Sequence, residues 1–142
     1  MWKFRSMVPG ADRLNADLDR VNIGDGLLFK VVDDPRVTRV GRVLRRYSLD
    51  ELPQLFNVLT GDMSLVGPRP LPARVEDFGV EARRRHHVRP GITGPWQVTR
   101  DRSYSYDDMI SLDLEYVERW SLPRDLVLLV LTIPAALTRG RL

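Results

Sequence analysis

The chain has 142 residues, 43% of them apolar and 29% charged, with a net charge of +3 and a pI near 9.7. That is the length and balance of one globular domain with a real core. It contains no cysteine, which excludes disulfides, thiolate nucleophiles and cysteine metal sites. Its two histidines, His86 and His87, are too few for a multi-histidine zinc centre within one chain. The basic excess is mostly arginine, whose fork matches phosphate geometry. It suits phosphate-bearing partners without identifying one.

The opening Met1-Trp2-Lys3-Phe4-Arg5 has no long apolar run behind it, so no targeting signal is read there. Residues 9–20 have helical spacing, but Asn15, Asp17 and Asp19 predict only a weak helix. Residues 21–36 hold Leu27-Leu28-Phe29-Lys30-Val31-Val32 between Gly24-Asp25-Gly26 and Asp33-Asp34-Pro35, either a strand or a packed loop. Residues 37–47 predict a helix with Val40, Val43 and Leu44 apolar and Arg39, Arg42, Arg45 and Arg46 basic around them. Leu52, Leu55, Phe56, Val58 and Leu59 mark a second amphipathic helix that Gly61 stops.

Residues 61–72 read as a Gly/Pro loop and 73–87 as a charged helix. Residues 88–97 return to turn chemistry, with Trp96 as an apolar anchor. Residues 105–120 predict a helix covered by Met109, Ile110, Leu112, Leu114, Tyr116, Val117 and Trp120, and Ser121-Leu122-Pro123 begins the last one. The apolar stretch 126–137 is too short for the roughly 20 residues a membrane span needs. It carries Pro134 and lies between Arg124-Asp125 and Arg139, so a buried core helix and an interfacial helix with basic flanks both fit. The fold class read from this layout is mainly α (α+β with little strand). It is a compact helical single domain over residues 1–142, with Gly/Pro-rich functional loops and amphipathic interfacial helices.

Chemistry concentrates in Ser48-Leu49-Asp50-Glu51-Leu52-Pro53-Gln54 and in Gly67-Pro68-Arg69-Pro70. Adjacent carboxylates at a helix start accept backbone N–H groups, and Ser48-x-x-Glu51 matches a capping box, a purely structural role. Pro53 argues against Ser48 as the cap, because it would then fall beyond the first turn and delete a hydrogen bond. A later start near Leu49 or Asp50 frees at least one carboxylate. The two prolines around Arg69 make either a rigid surface turn or a preorganised anion grip. Arg89-Pro90-Gly91-Ile92-Thr93-Gly94 is a second loop of this kind, and His86-His87 suits a helix C-terminus better than a metal.

Together these residues resemble the bacterial sugar transferase family, the monotopic polyprenyl-phosphate phosphoglycosyl transferases. The matching stretches are Lys3-Phe4-Arg5-Ser6-Met7, residues 34–42, Arg45-Arg46-Tyr47-Ser48 through Asp50-Glu51 to Pro70, Val88 to Gln97, residues 112–117, and Trp120-Ser121-Leu122 with Asp125 and Leu126. The resemblance implies transfer of a sugar 1-phosphate from a UDP-sugar to undecaprenyl phosphate, with Mg2+ and release of UMP, at the cytoplasmic face of the inner membrane. It further implies Asp50 as the nucleophile that forms a covalent aspartyl phosphosugar and as a metal ligand, with Glu51 its acidic partner. Arg69 matches a phosphate-binding arginine, Lys3 and Arg45 match basic residues near the site, and Pro68 and Pro70 shape the nucleotide loop.

Family members carry a re-entrant hydrophobic helix before the Lys-Phe-Arg motif. This chain starts at Met1-Trp2-Lys3, so the expectation is a catalytic domain without its membrane anchor, held at the membrane surface peripherally. The alternative is a non-catalytic remnant or a module that binds nucleotide or anionic lipid through its arginines. A nucleic-acid role is not expected, because the basic residues are dispersed and no recognition helix or aromatic stacking platform is present. The sugar and the oligomeric state are left open.

Overall fold

The computed structural model describes residues 1–99 and 105–138. Asparagine and aspartate compete with helical backbone bonding, and residues 9–20 accordingly form only turns. These are a 3-10 turn at Ala11–Leu14, one α-helical turn α1 (Asn15–Leu18) and a 3-10 turn at Asp19–Val21. Residues 21–36 are a packed loop rather than a strand. A single antiparallel bridge, Asn22 to Val31, closes it, and the Asn22 side chain accepts from the N–H groups of Gly24 and Lys30 at 2.9 and 2.8 Å.

Thr38 caps α2 (Arg39–Arg46) by accepting the Gly41 N–H at 2.9 Å. Gly41 is there for space. A Cβ on it would lie 1.8 Å from the Ser6 carbonyl oxygen, because the N-terminal segment runs across this helix. That segment is held by backbone bonds along its length: Phe4 N–H to the Asp50 carbonyl (3.0 Å), Thr38 N–H to the Ser6 carbonyl (3.0 Å) and Val8 N–H to the Arg36 carbonyl (2.9 Å).

After a 3-10 turn at Leu49–Glu51, α3 (Gln54–Leu59) starts with Pro53 in the cap position. Its polarity is inverted. Gln54 and Asn57 are buried, while Phe56 is 65% and Leu59 82% exposed. Asn57 earns its interior place by accepting the Trp2 N–H at 2.8 Å.

Residues 61–72 are not all loop: β1 (Ser64–Val66) pairs in parallel with β2 (Gly91–Thr93), Ser64 opposite Gly91 and Val66 opposite Thr93. The sheet edge is tight enough that a Cβ on Gly91 would lie 2.1 Å from the Gly67 nitrogen. Between the strands, the charged helix expected over 73–87 is replaced by 3-10 turns at Val75–Asp77 and Ala82–His87. Phe78 takes an extended conformation to enter the core, and the Arg83 side chain occupies its carbonyl at 3.0 Å. Gly79 follows at once and lowers helix propensity further.

α4 (Pro95–Val98) carries proline at its start. α5 (Tyr106–Glu118) has a Ser105–Asp108 capping box, and α6 (Leu122–Thr138) contains Pro134. One core cluster joins Phe78, Ala82, Met109 and Ile110, with Trp96 packed against it. The other joins Val66, Tyr116 and Leu128, bolting sheet, α5 and α6 together. The Tyr116 hydroxyl donates to Asp125 at 2.8 Å and the Trp120 indole at 3.1 Å, and burial with the Asp125 carboxylate pushes the phenol above its ordinary range. The described residues are mainly helical with one two-stranded parallel sheet.

Gly41→Ala should destabilise the protein by about 1–3 kcal/mol through overpacking against Ser6. Urea unfolding checks this, and an unchanged midpoint would mean the N-terminal segment does not lie on α2.

Candidate active site

Ser48 turns the chain with a left-handed φ of 55°, and its side chain makes no capping bond. The capping box suggested by Ser48 and Glu51 therefore does not form. Glu51 turns to two cations instead: its Oε1 accepts from Lys3 Nζ at 2.9 Å, and the Arg69 guanidinium forks onto both of its oxygens. Burial alone would raise the Glu51 carboxyl, but the charges of Arg69 and Lys3 outweigh it and hold the group below its ordinary value.

Asp50 is different. It is buried to about the same degree, and its carbonyl anchors Phe4. Yet among the described residues its carboxylate has no hydrogen bond or ion pair. One carboxylate of the pair is neutralised; its neighbour is uncommitted.

The Arg69 turn is locked from several sides. The Pro68 carbonyl accepts from Gly91 N–H at 3.0 Å, and Pro70 follows at a half-buried position. The Arg69 guanidinium lies 6.0 Å from the Trp96 ring, and its carbonyl accepts from Arg85 Nη2 at 2.6 Å. The structure thus brings Asp50, Glu51, Lys3, Arg69 and the flanking Pro68 and Pro70 together.

Arg45 stands one step away. Its Nε donates to the Ser6 hydroxyl at 2.8 Å, so it steadies the segment that carries Lys3 instead of touching either carboxylate. His86 behaves as a local cap. Its Nδ1 lies 3.2 Å from the Arg83 carbonyl, which can only accept, so that nitrogen carries the proton.

Beside Glu51 opens a largely apolar cavity of about 120 Å³ between the Ser48–Leu55 segment, β2–α4 and the second half of α6. Thr93 and Thr132 join hydroxyls across it at 2.7 Å.

Among the described residues no group of three or more His, Asp or Glu side chains could hold a metal ion. A cage is not what Mg2+ requires. It binds through one or two carboxylates plus substrate phosphates and retains waters. One uncommitted carboxylate, Asp50, in the same turn as the Glu51 that gathers two cations, fits that donor set.

Several supporting residues had no place in the sequence-based site: Ser6, Asn57, Trp96, Arg85 and Asp113. Two left a signal. Asn57 interrupts the apolar run of α3, and Asp113 sits between Leu112 and Leu114, a charge where a buried helix face should be apolar.

A carboxylate without a partner among the described residues adjoins one that gathers a lysine from the N-terminal segment and an arginine from a Gly/Pro loop. The sequence profile of the bacterial sugar transferase family matches residues 1–139, and the chain belongs to that family. It is 43% identical over 138 residues to the galactosyl transferase CpsE of Streptococcus agalactiae, covering 96% of this chain and 31% of that protein. It is 44% identical to the exopolysaccharide production protein ExoY of Sinorhizobium fredii, covering 97% and 64%. With the undecaprenyl-phosphate galactose phosphotransferase of Salmonella typhimurium it shares 42%, covering 97% and 30%. The chain spans between about a third and two-thirds of the length of these relatives.

The depressed Glu51 carboxyl has a signed consequence. Its contribution to stability is fully present above the ordinary value of 4.5 and is lost as pH falls through the lower folded value. Glu51→Gln should cost about 1–3 kcal/mol at pH 7 by stranding its partners. Thermal melts of both proteins should converge below pH 4.5; a gap that persists in acid would contradict the ion pairing.

Proposed function

We propose that this chain transfers a sugar 1-phosphate from a UDP-sugar to undecaprenyl phosphate at the cytoplasmic face of the bacterial inner membrane, releasing UMP. This would be the initiating step of exopolysaccharide or related glycoconjugate synthesis. The observation that carries the reading is the uncommitted Asp50 carboxylate beside a Glu51 already neutralised by Lys3 and Arg69. A nucleophile must be free to attack, and a dianionic substrate cannot approach two unscreened carboxylates.

In this reading an Asp50 oxygen attacks the phosphorus that bears the sugar. A carboxylate O–P bond forms, the bond from that phosphorus to the bridging oxygen breaks, and its electron pair leaves with UMP. A phosphate oxygen of the lipid then attacks the same phosphorus, forms the diphosphate link and returns Asp50 as carboxylate. Glu51 keeps Lys3 and Arg69 beside Asp50 before substrate arrives, and the two cations stabilise the charge that develops on the phosphoryl oxygens. Asp50 and the diphosphate would together hold Mg2+, which supplies further neutralisation of the leaving UMP.

The surface around the site supports work at a lipid boundary. Leu52 and Leu55 share the small cavity with Thr132, Ala135 and Ala136, while Val58 and Leu65 share a groove with Leu122 and Leu126. α3 and α6 both pack against β1 and flank the same cavity and groove. Leu55, Phe56, Leu59, Leu126, Val127, Val130 and Ile133 are all exposed on them, the kind of apolar surface that suits a membrane contact. Among the described residues no helix is long and apolar enough to cross a membrane. Peripheral docking suits this face. A second reading, a module that binds nucleotide or anionic lipid without turnover, rests on the same arginines.

With a panel of UDP-sugars, undecaprenyl phosphate, Mg2+ and detergent, UMP release should depend on every component and fall by at least about 1000-fold in Asp50→Asn. Nucleotide binding that survives in Asp50→Asn, weakens in Arg69→Ala and never yields UMP would favour the second reading. For the apolar face, Phe56→Asp with Leu59→Asp should cut flotation with anionic vesicles roughly tenfold; unaltered flotation would remove α3 from the docking surface.

A further inference from the structure

Arg85 and Asp113 form the most deeply buried charge pair among the described residues, at 2% and 0% exposure. Arg85 Nε and Nη2 both reach Asp113 Oδ2, at 3.0 and 2.6 Å. The same Nη2 reaches the Arg69 carbonyl at 2.6 Å. Phe78 covers the guanidinium, with its ring centre 5.4 Å away.

As a stabilising device this arrangement is poor. Burial pushes the Asp113 carboxyl up to about 6 against the pull of Arg85, and among the described residues Asp113 Oδ1 is buried without a hydrogen-bond partner. Well-packed apolar side chains in place of a buried ion pair are often as stable or more so. What the pair contacts gives it another use. Pro68 and Pro70 set their own φ angles, and Pro70 holds Arg69 away from the helical region. The rotation neither proline fixes is that about the Arg69 N–Cα bond, and Arg85, by gripping the Arg69 carbonyl, anchors the far side of that bond.

We propose that Arg85, oriented by Asp113, is a positioning residue: by holding the Arg69 carbonyl it aims the Arg69 guanidinium at Glu51 and at the phosphate that Asp50 attacks. The catalytic consequence rests on the transferase reading; the geometric one does not.

The test is the paired replacement Arg85→Met with Asp113→Leu, which removes both charges and keeps the volume filled. Its melting temperature should be at or above that of the parent. UMP turnover should fall roughly 10- to 100-fold, mostly in kcat, and the replacement should have little added effect in an Arg69→Ala background. Independently of activity, the guanidinium 15N NMR signals of Arg69, assigned by their loss in Arg69→Lys, should be resolved in the parent and merge by free rotation in the paired variant. A folded paired variant that keeps those resolved signals, or that loses activity additively with Arg69→Ala, overturns the proposal. Should the paired variant not fold, isosteric Asp113→Asn supplies the same readout, and unchanged Arg69 signals there overturn it equally. A parent chain without UMP release would defeat the transferase reading and leave the NMR outcome to decide the positioning.

Discussion

Glu51 is a buried carboxylate whose charge is compensated by two cations, and that compensation organises this molecule. Its two cations come from opposite ends of the sequence around it, Lys3 from the N-terminal segment and Arg69 from the Gly/Pro loop. Bringing them there has requirements that spread outward. Lys3 arrives only if its segment lies flat on α2, which needs the bare Cα of Gly41 and the Thr38–Ser6 bonds. Arg69 arrives only if its loop is pinned to β2, which needs the close passage of Gly67 and Gly91 and the bond from Gly91 to Pro68. With both cations committed to Glu51, Asp50 keeps its carboxylate unengaged, and the proposed chemistry starts from that asymmetry.

The same segment explains the inverted polarity of α3. Asn57 faces inward because its side chain holds the Trp2 N–H and its carbonyl receives the Met63 N–H at 3.0 Å. Buried polar groups of this kind cost little once bonded. The apolar residues of the helix are then turned outward, and the small cavity beside Glu51 is lined by Leu55 of this helix and by Thr132, Ala135 and Ala136 of α6. The proposed reaction would gain from this placement, since the surface proposed to contact lipid and the carboxylates proposed to act on its headgroup share one short helix and the turn before it.

Much of this was legible in the residues. α5 was readable because one run of apolar side chains covers it from end to end, and α2 because arginines and small apolar residues alternate with helical spacing. Asp50, Glu51, Lys3 and Arg69 were legible through several short motifs in family order. Two of the departures from the sequence reading share a cause. Residues 73–87 have the composition of a helix, but Phe78 must reach the core and does so from an extended conformation. Residues 64–66 have the composition of a loop but find a strand partner at Gly91–Thr93, a pairing that no local window contains. Arg85 and Asp113 escaped for the same reason: each is ordinary in its own segment, and they matter only as a pair.

The sequence by itself determined the helical class, the family and the residue types able to do phosphate chemistry, because these depend on composition, local spacing and short motifs. Tertiary structure alone decided which carboxylate is paired and which is free. From sequence, Glu51 could be read as half of a capping box or as the acidic partner of Asp50, and its ion pairs were not visible. The choice was made by Lys3 and Arg69, which reach Glu51 from 48 and 18 positions away along the chain, a distance that only folding closes.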